Sequence, residues 1–329
     1  MIMILIAMIT ILIRGTILRS HGLPTLGAIL SLALVLTGCG GTAGDDEQGL
    51  RVVATTSVWG DVVEEIVGDD GTVDVLIPAG ADAHEYEATP QQVASLQDAD
   101  LVVANGLGLE EGLVDVLEGA VSDGANVLEL APELEPLPFA DHGDEEDEDH
   151  AHEGEDPHVW FDPSRVVVAT ELIAARLAEV DDSEDWMARA SAYSYRRLEA
   201  DREIEAILDA VPEENRKLVT NHDALGYFAD RYGFEVIAVV IPGGSTLGDP
   251  SSAEMAALVE EIEHEGVLTI FAETSQPTRL AEAVAAEVGD DVGVVQLYTG
   301  SLGESGSDAD TLIGMLTTNA RRMAEALAG

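Results

Sequence analysis

From Arg51 onward, short β-branched runs alternate with amphipathic stretches, a pattern that predicts α/β architecture. Val52 to Thr56 reads as a buried strand, Val58 to Val67 has helical spacing, and Val73 to Ile77 is the next strand. Thr89 as N-cap and Pro90 at the first helical position open a short helix to Gln97. Leu101 to Ala104 is another strand, and Leu109 to Leu117 another helix. In the second half Lys217 to Thr220, Val236 to Ile241, Leu268 to Phe271 and Val292 to Leu297 read as strands. Between them Ala224 to Tyr232, Ser251 to His264 and Pro277 to Val288 read as helices. Val53 to Gly68 and Leu218 to Gly233 share a strand, a polar Thr-containing turn and a helix stopping at glycine. That is a loose internal repeat. Two similar α/β lobes leave a cleft between them, and ligands of such sheets sit beyond the carboxyl ends of the strands.

The pattern changes in the middle of the chain. Pro163 to Val180 reads as one helix and Ser183 to Val211 as a longer one, with Asp181, Asp182 and Ser183 offering caps and Pro212 a stop. Its apolar positions are taken as Ala188, Ala192, Tyr195, Leu198, Ile204 and Leu208, at three- or four-residue intervals. A helix of that length would run roughly 40 Å at 1.5 Å per residue and make a stiff connector. A packed helix or a coiled-coil arm fits the same pattern. The expected division is an N-terminal lobe over 51–182, a linker helix over 183–212 and a C-terminal lobe over 213–329.

The first 38 residues follow neither pattern: they contain no acid, and acids begin at Asp45. Met1 to Ile13 is strongly apolar, which suits a misplaced start codon or a membrane segment ahead of the leader proper. Arg14 and Arg19 then precede a second apolar run, Leu23 to Leu36, of signal-peptide length. The run ends in Leu36-Thr37-Gly38-Cys39, which resembles the lipobox of bacterial lipoproteins. That resemblance implies a signal peptide over 1–38, acylation of Cys39, a flexible tether over 39–50, and a folded part held by lipid outside the cytoplasmic membrane. Cys39 is the chain's one cysteine, so an intramolecular disulfide and a cysteine zinc site are both excluded.

Composition narrows the partners. With 46% hydrophobic residues in 329 there is ample material for buried cores, and a formal net charge of −49 repels nucleic acid and anionic lipid headgroups. The charge itself reads as a solvated acidic surface suited to a saline habitat.

Eight histidines carry the candidate chemistry. His21 lies in the leader, and His264 near a helix end reads as solvated. His142, His150 and His152 sit in an acidic run, 141–155, without apolar periodicity; it is a weak metal collector or a solvated spacer. The remaining three follow predicted strands or sit in tight loops. His84 stands in Pro78-Ala79-Gly80-Ala81-Asp82-Ala83-His84-Glu85-Tyr86-Glu87, and His222 in Thr220-Asn221-His222-Asp223. His158 stands in Asp156-Pro157-His158-Val159-Trp160-Phe161-Asp162-Pro163, where prolines stiffen the backbone and a carboxylate can orient the ring through its second nitrogen. Three imidazoles converging on a cleft suit zinc.

These three ordered motifs, with Thr220 to Phe228 as the third, resemble the metal-binding solute-binding lipoproteins of bacterial ABC transporters for zinc and manganese. The resemblance covers nearly all of the mature chain. It implies two βα-sandwich lobes joined by one long rigid helix, a metal ion in the interlobe cleft, and His84, His158 and His222 as its ligands. It also implies an ABC permease and its ATPase as partners, and a monomer. Histidine rather than glutamate at the third position, His222, favours Zn(II) over manganese.

One departure stands out. The family's fourth ligand is commonly an Asp in a motif like Y-T-D-S-L, and here the stretch is Tyr298-Thr299-Gly300-Ser301-Leu302. Water or Glu273 is left to complete the shell. The rivals are a manganese carrier or metal-dependent surface adhesin, and a tethered zinc hydrolase with Glu85 or Glu273 as base. No H-E-x-x-H motif supports the hydrolase.

Overall fold

The computed structural model describes residues 49–139 and 154–328. The leader, Cys39 and the acidic histidines His142, His150 and His152 lie outside the described residues.

Two four-stranded parallel sheets form the two lobes. The first contains β1 (Leu50–Thr56), β2 (Gly71–Ile77), β3 (Leu101–Ala104) and β4 (Val127–Glu129), in the order β2-β1-β3-β4. The second contains β5 (Lys217–Thr220), β6 (Glu235–Val239), β7 (Thr269–Glu273) and β8 (Gly293–Leu297), in the order β6-β5-β7-β8. The two orders are the same topology used twice, which is the internal repeat at the level of structure. The sequence pattern misses β4, whose three residues are too few to show a period.

The helices of the first lobe are α1 (Ser57–Val67), α2 (Pro90–Gln97) and α3 (Val114–Ser122). Thr56 closes β1 and caps α1 with one side chain, accepting from the Trp59 N–H at 3.3 Å. Val58, Val62, Val63, Ile66 and Val67 are all buried, each contributing on the order of 1.5–3 kcal/mol. At α2 the expected Thr89 cap becomes a full capping box with Gln92. The helix expected at Leu109 begins later, because Glu111–Leu113 is a 3-10 turn leading into α3.

α4 (Pro163–Val180) packs on β3 and α1 of the first lobe, and the long helix α5 (Trp186–Leu208) joins that lobe to the second. Asp185, not the earlier acids, caps α5, and the Trp186 indole N–H donates to the Asp181 carbonyl at 2.7 Å to fix the corner. The buried stripe of α5 is Trp186, Ala190, Tyr193, Arg197, Ala200, Ile204 and Leu208. Ala188, Ala192, Tyr195 and Leu198, expected to face inward, face solvent instead. Both sets repeat at helical spacing, but Trp186 and Tyr193 have far more area to hide, so they choose the phase. α5 packs on α4, α1 and the last helix. It is therefore a packed element throughout, not a free-standing strut.

The second lobe adds α6 (Gly226–Tyr232), α7 (Ser252–Glu265), α8 (Arg279–Val288) and α9 (Leu312–Leu327). α9 returns from the second sheet to pack on α5 and α1, and Asp61 of α1 accepts from the Leu312 N–H at its start, at 2.9 Å. One core accordingly runs through the first sheet, α4, α5, α6 and α9, while a smaller one fills the space between the second sheet, α7 and α8. Among the described residues no helix is long and apolar enough to cross a membrane.

Candidate metal centre

The three histidines of the motifs meet. His84 lies in the loop after β2, His222 in the turn after β5, and His158 just before α4. All three are buried, at 4%, 2% and 0% exposure respectively. Each offers one ring nitrogen to a group whose members lie within 4.8 Å of one another. The ring centroids are 5.8 Å apart for His84 and His158, 5.3 Å for His84 and His222, and 5.0 Å for His158 and His222.

The nitrogen spacing carries chemical information. Nε2 of His222 is 3.2 Å from Nε2 of His158. Two nitrogens bound tetrahedrally to one zinc at about 2.05 Å stand about 3.3 Å apart. Nε2 of His84 is buried and has no hydrogen-bond partner. A divalent cation shared by the three atoms relieves both the crowded pair and the orphaned acceptor.

A carboxylate stands behind every ring. Asp156 Oδ1 is 2.8 Å from Nδ1 of His158 and also accepts from that residue's backbone N–H at 2.9 Å. Glu273 holds Nδ1 of His222, and its other oxygen accepts from the Thr299 hydroxyl at 2.5 Å. Glu111 Oε1 is 3.2 Å from Nδ1 of His84. Such contacts put the ring proton on Nδ1 and leave Nε2 free to bind a metal. Asp156 is the orienting carboxylate that the Asp-Pro-His motif suggests. Glu111 and the role of Glu273 leave no trace in the sequence pattern, since neither belongs to a motif.

Burial and charge divide the three rings. Burial, then His222 and His158, push the His84 pKa from 6.5 down to about 2, so this ring stays neutral. At His222 burial also acts downward, but the charge and hydrogen bond of Glu273 outweigh it and the pKa rises. Burial pushes Glu273 upward, but His222, its hydrogen bond and that of Thr299 win, taking the carboxylate down to about 2. Below the raised His222 pKa the metal-free centre therefore holds a His222–Glu273 ion pair beside two further imidazoles.

Hydrogen bonds from the surroundings brace the site. The Trp59 indole donates to Asn105 Oδ1 at 2.7 Å, and Asn105 Nδ2 donates to the Pro157 carbonyl at 3.0 Å. The Trp160 indole crosses to the second lobe and donates to the Thr299 carbonyl at 3.1 Å. Tyr227 of α6 donates to the Asp156 carbonyl at 2.8 Å. Gly226 makes that approach feasible, since a Cβ there would stand 3.0 Å from Asp156 Oδ2.

Glu273 grips His222 on Nδ1, the ring nitrogen opposite the one facing His158, so it orients this ring from behind. It is not among the residues grouped within 4.8 Å, which are the three histidines alone. Gly300 brings no side chain, and a Cβ built on it meets nothing within 4 Å. His264 is exposed on its helix end beside Glu265, as expected, in a solvated group with Glu261.

The model of the family described as zinc-uptake complex component A, periplasmic (ZnuA), matches residues 52–326. The chain belongs to this family. Its members are metal-binding solute-binding proteins rather than enzymes, which removes the hydrolase reading. The manganese-binding lipoprotein MntA of Halalkalibacterium halodurans is 32% identical over 297 residues, 88% of this chain and 94% of that protein. The manganese ABC transporter substrate-binding lipoprotein PsaA of Streptococcus pneumoniae is 28% identical, covering 93% of this chain and 99% of its own. The periplasmic zinc-binding protein TroA of Treponema pallidum superposes with a TM-score of 0.75 at 28% identity, over 85% of this chain and 100% of that one. Family members thus share the two-lobed fold found here, and relatives named for zinc and for manganese both appear among them.

Proposed function

We propose that this protein captures Zn(II) outside the cell membrane and delivers it to an ABC permease driven by its ATPase, with His84, His158 and His222 as the metal ligands. The observation that carries the reading is the cluster of three buried imidazoles with a 3.2 Å Nε2–Nε2 separation. Three imidazole nitrogen donors with no carboxylate among them suit zinc better than manganese, which prefers oxygen. Cys39 in its lipobox-like setting would anchor the chain by lipid, as the lipoprotein names of the relatives suggest for them. Capture and release need no chemistry beyond ligand exchange.

Manganese is the second reading, favoured by the names of the relatives at 28–32% identity. Metal competition separates the two. Protein stripped with a chelator and offered equal zinc and manganese takes zinc on the first reading and manganese on the second. His158→Ala abolishes uptake on either.

A further inference from the structure

The three carboxylates behind the rings do not stand on equal terms. The side chains of Asp156 and Glu273 are 2% and 3% exposed, whereas that of Glu111 is 37% exposed. Each buried carboxylate is held a second time: Asp156 by the backbone N–H of His158, and Glu273 by the hydroxyl of Thr299. Glu111 instead opens a 3-10 turn on the surface, just past Gly106, Leu107 and Gly108, which all take left-handed backbone. Its neighbour Glu110 pins the turn from inside, accepting from Thr55 Oγ1 at 2.5 Å and the Asn105 N–H at 2.8 Å.

His84 also depends on the other lobe. Its backbone N–H donates to Asp82 Oδ1 at 2.8 Å, and the second oxygen of Asp82 accepts from the side-chain amide of Gln276. Asp82 belongs to the loop after β2, and Gln276 to the segment between β7 and α8. His84 is thus held on its ring by a carboxylate that water can reach, and on its backbone by Asp82, whose other oxygen is held from the second lobe by Gln276. The carboxylates behind His158 and His222 lack that exposure: both are buried.

We propose that His84 is the exchanging ligand of the centre: the ion enters and leaves on its side, and Glu111 and the Asp82–Gln276 contact set the rate. The inference rests on the metal-capture reading. A metal leaves a three-imidazole site by losing one ligand first, and the ring with solvent-accessible support loses least when it turns. Water replaces the Glu111 hydrogen bond to Nδ1, and the freed carboxylate offers an oxygen to the departing or arriving hydrated cation. When the lobes part at Gln276, Asp82 loses its second-lobe partner and its brace on the His84 backbone loosens as well.

The test uses the full chain loaded with zinc and mixed rapidly with excess chelator. The dissociation rate is read for the parent and for Glu111→Ala, Glu111→Gln and Gln276→Ala. Loss of an outer-sphere partner shifts metal binding by about 10- to 100-fold. Glu111→Ala is expected to release zinc about tenfold faster, and Gln276→Ala also faster than the parent. Glu111→Gln should fall between parent and Glu111→Ala, because its amide oxygen still accepts from Nδ1–H without the charge. The metal-free melting temperature should stay at the parent value in all three. Rates unchanged within about twofold in both Glu111→Ala and Gln276→Ala overturn the proposal, against the shift an outer-sphere partner would give. A faster rate accompanied by a lower metal-free melting temperature also overturns it, since Glu111 would then be a structural prop. A parent that takes up neither zinc nor manganese overturns the capture reading itself, a result distinct from any ordering of the variants.

Discussion

Asp156 reaches His158 twice through one oxygen, accepting from the backbone N–H at 2.9 Å and facing ring Nδ1 at 2.8 Å. A two-residue step between carboxylate and imidazole, with Pro157 between them, closes this small ring of contacts. Removing the carboxylate frees the tautomer and the rotation of an otherwise buried ring. Asp156→Ala is expected to weaken zinc binding by about 10- to 100-fold while leaving one ion per chain at saturation. Competition against a chelator of known affinity measures it. Unchanged affinity would show that packing alone orients His158.

Much of the site is legible in sequence because its parts are local. His158 carries its own orienting acid within its motif, and His84 and His222 each follow a strand, so the parallel topology delivers them to one end of the sheets. Glu111 is not legible: it meets His84 only because Glu110 folds the loop after β3 back on itself, a long-range consequence of Thr55 and Asn105. The face of α5 is not legible either. Alanines repeat at helical spacing on two sides of that helix, and the choice between them falls to Trp186 and Tyr193, whose burial depends on α1, α4 and α9.

The pH dependence of binding follows from the unequal rings. His84, held down to about 2, is already neutral and gives up no proton when metal arrives. His222, raised by Glu273 against the effect of burial, carries a proton in the metal-free state below its raised pKa. Metal on Nε2 must displace that proton, so affinity falls as pH drops below the His222 value and levels off above it. Uptake below that pH should release about one proton per zinc from this pair. Calorimetry in two buffers of different ionisation enthalpy counts it. Equal apparent enthalpies in the two buffers would exclude a protonated His222.

Asp61 makes a separate prediction about stability. Burial, helped by Glu65 and Glu64 and opposed by the Leu312 N–H, raises its pKa from 3.8 to about 6. An acid raised on folding costs stability once pH exceeds its unfolded value, and the cost is full above the folded value. The destabilisation therefore grows between about pH 4 and pH 6 and persists at pH 8. Asp61→Asn keeps an oxygen for the Leu312 N–H and cannot ionise. Metal-free melting temperature should rise in this variant at pH 8 by a few degrees, and change little at pH 4. An equal effect at both pH values would mean that the carboxylate is not the cause.

Gly300 offers the sharpest test of selectivity. It lies in the loop between β8 and α9, beside Thr299, whose hydroxyl holds Glu273 and through it His222. The backbone there is not left-handed, and a Cβ meets nothing within 4 Å, so an aspartate fits without strain. The family resemblance read from the sequence implies an Asp at this point, in a motif like Y-T-D-S-L. Gly300→Asp adds a hard anionic oxygen to three softer nitrogens. Oxygen donors favour manganese relative to zinc, so both affinities should rise and manganese should gain more. Competition between the two ions should show the zinc preference narrowing by on the order of tenfold, or about 1.4 kcal/mol. If the added carboxylate leaves that ratio where it was, Gly300 does not face the ion, and the preference belongs to the three histidines and their carboxylates alone.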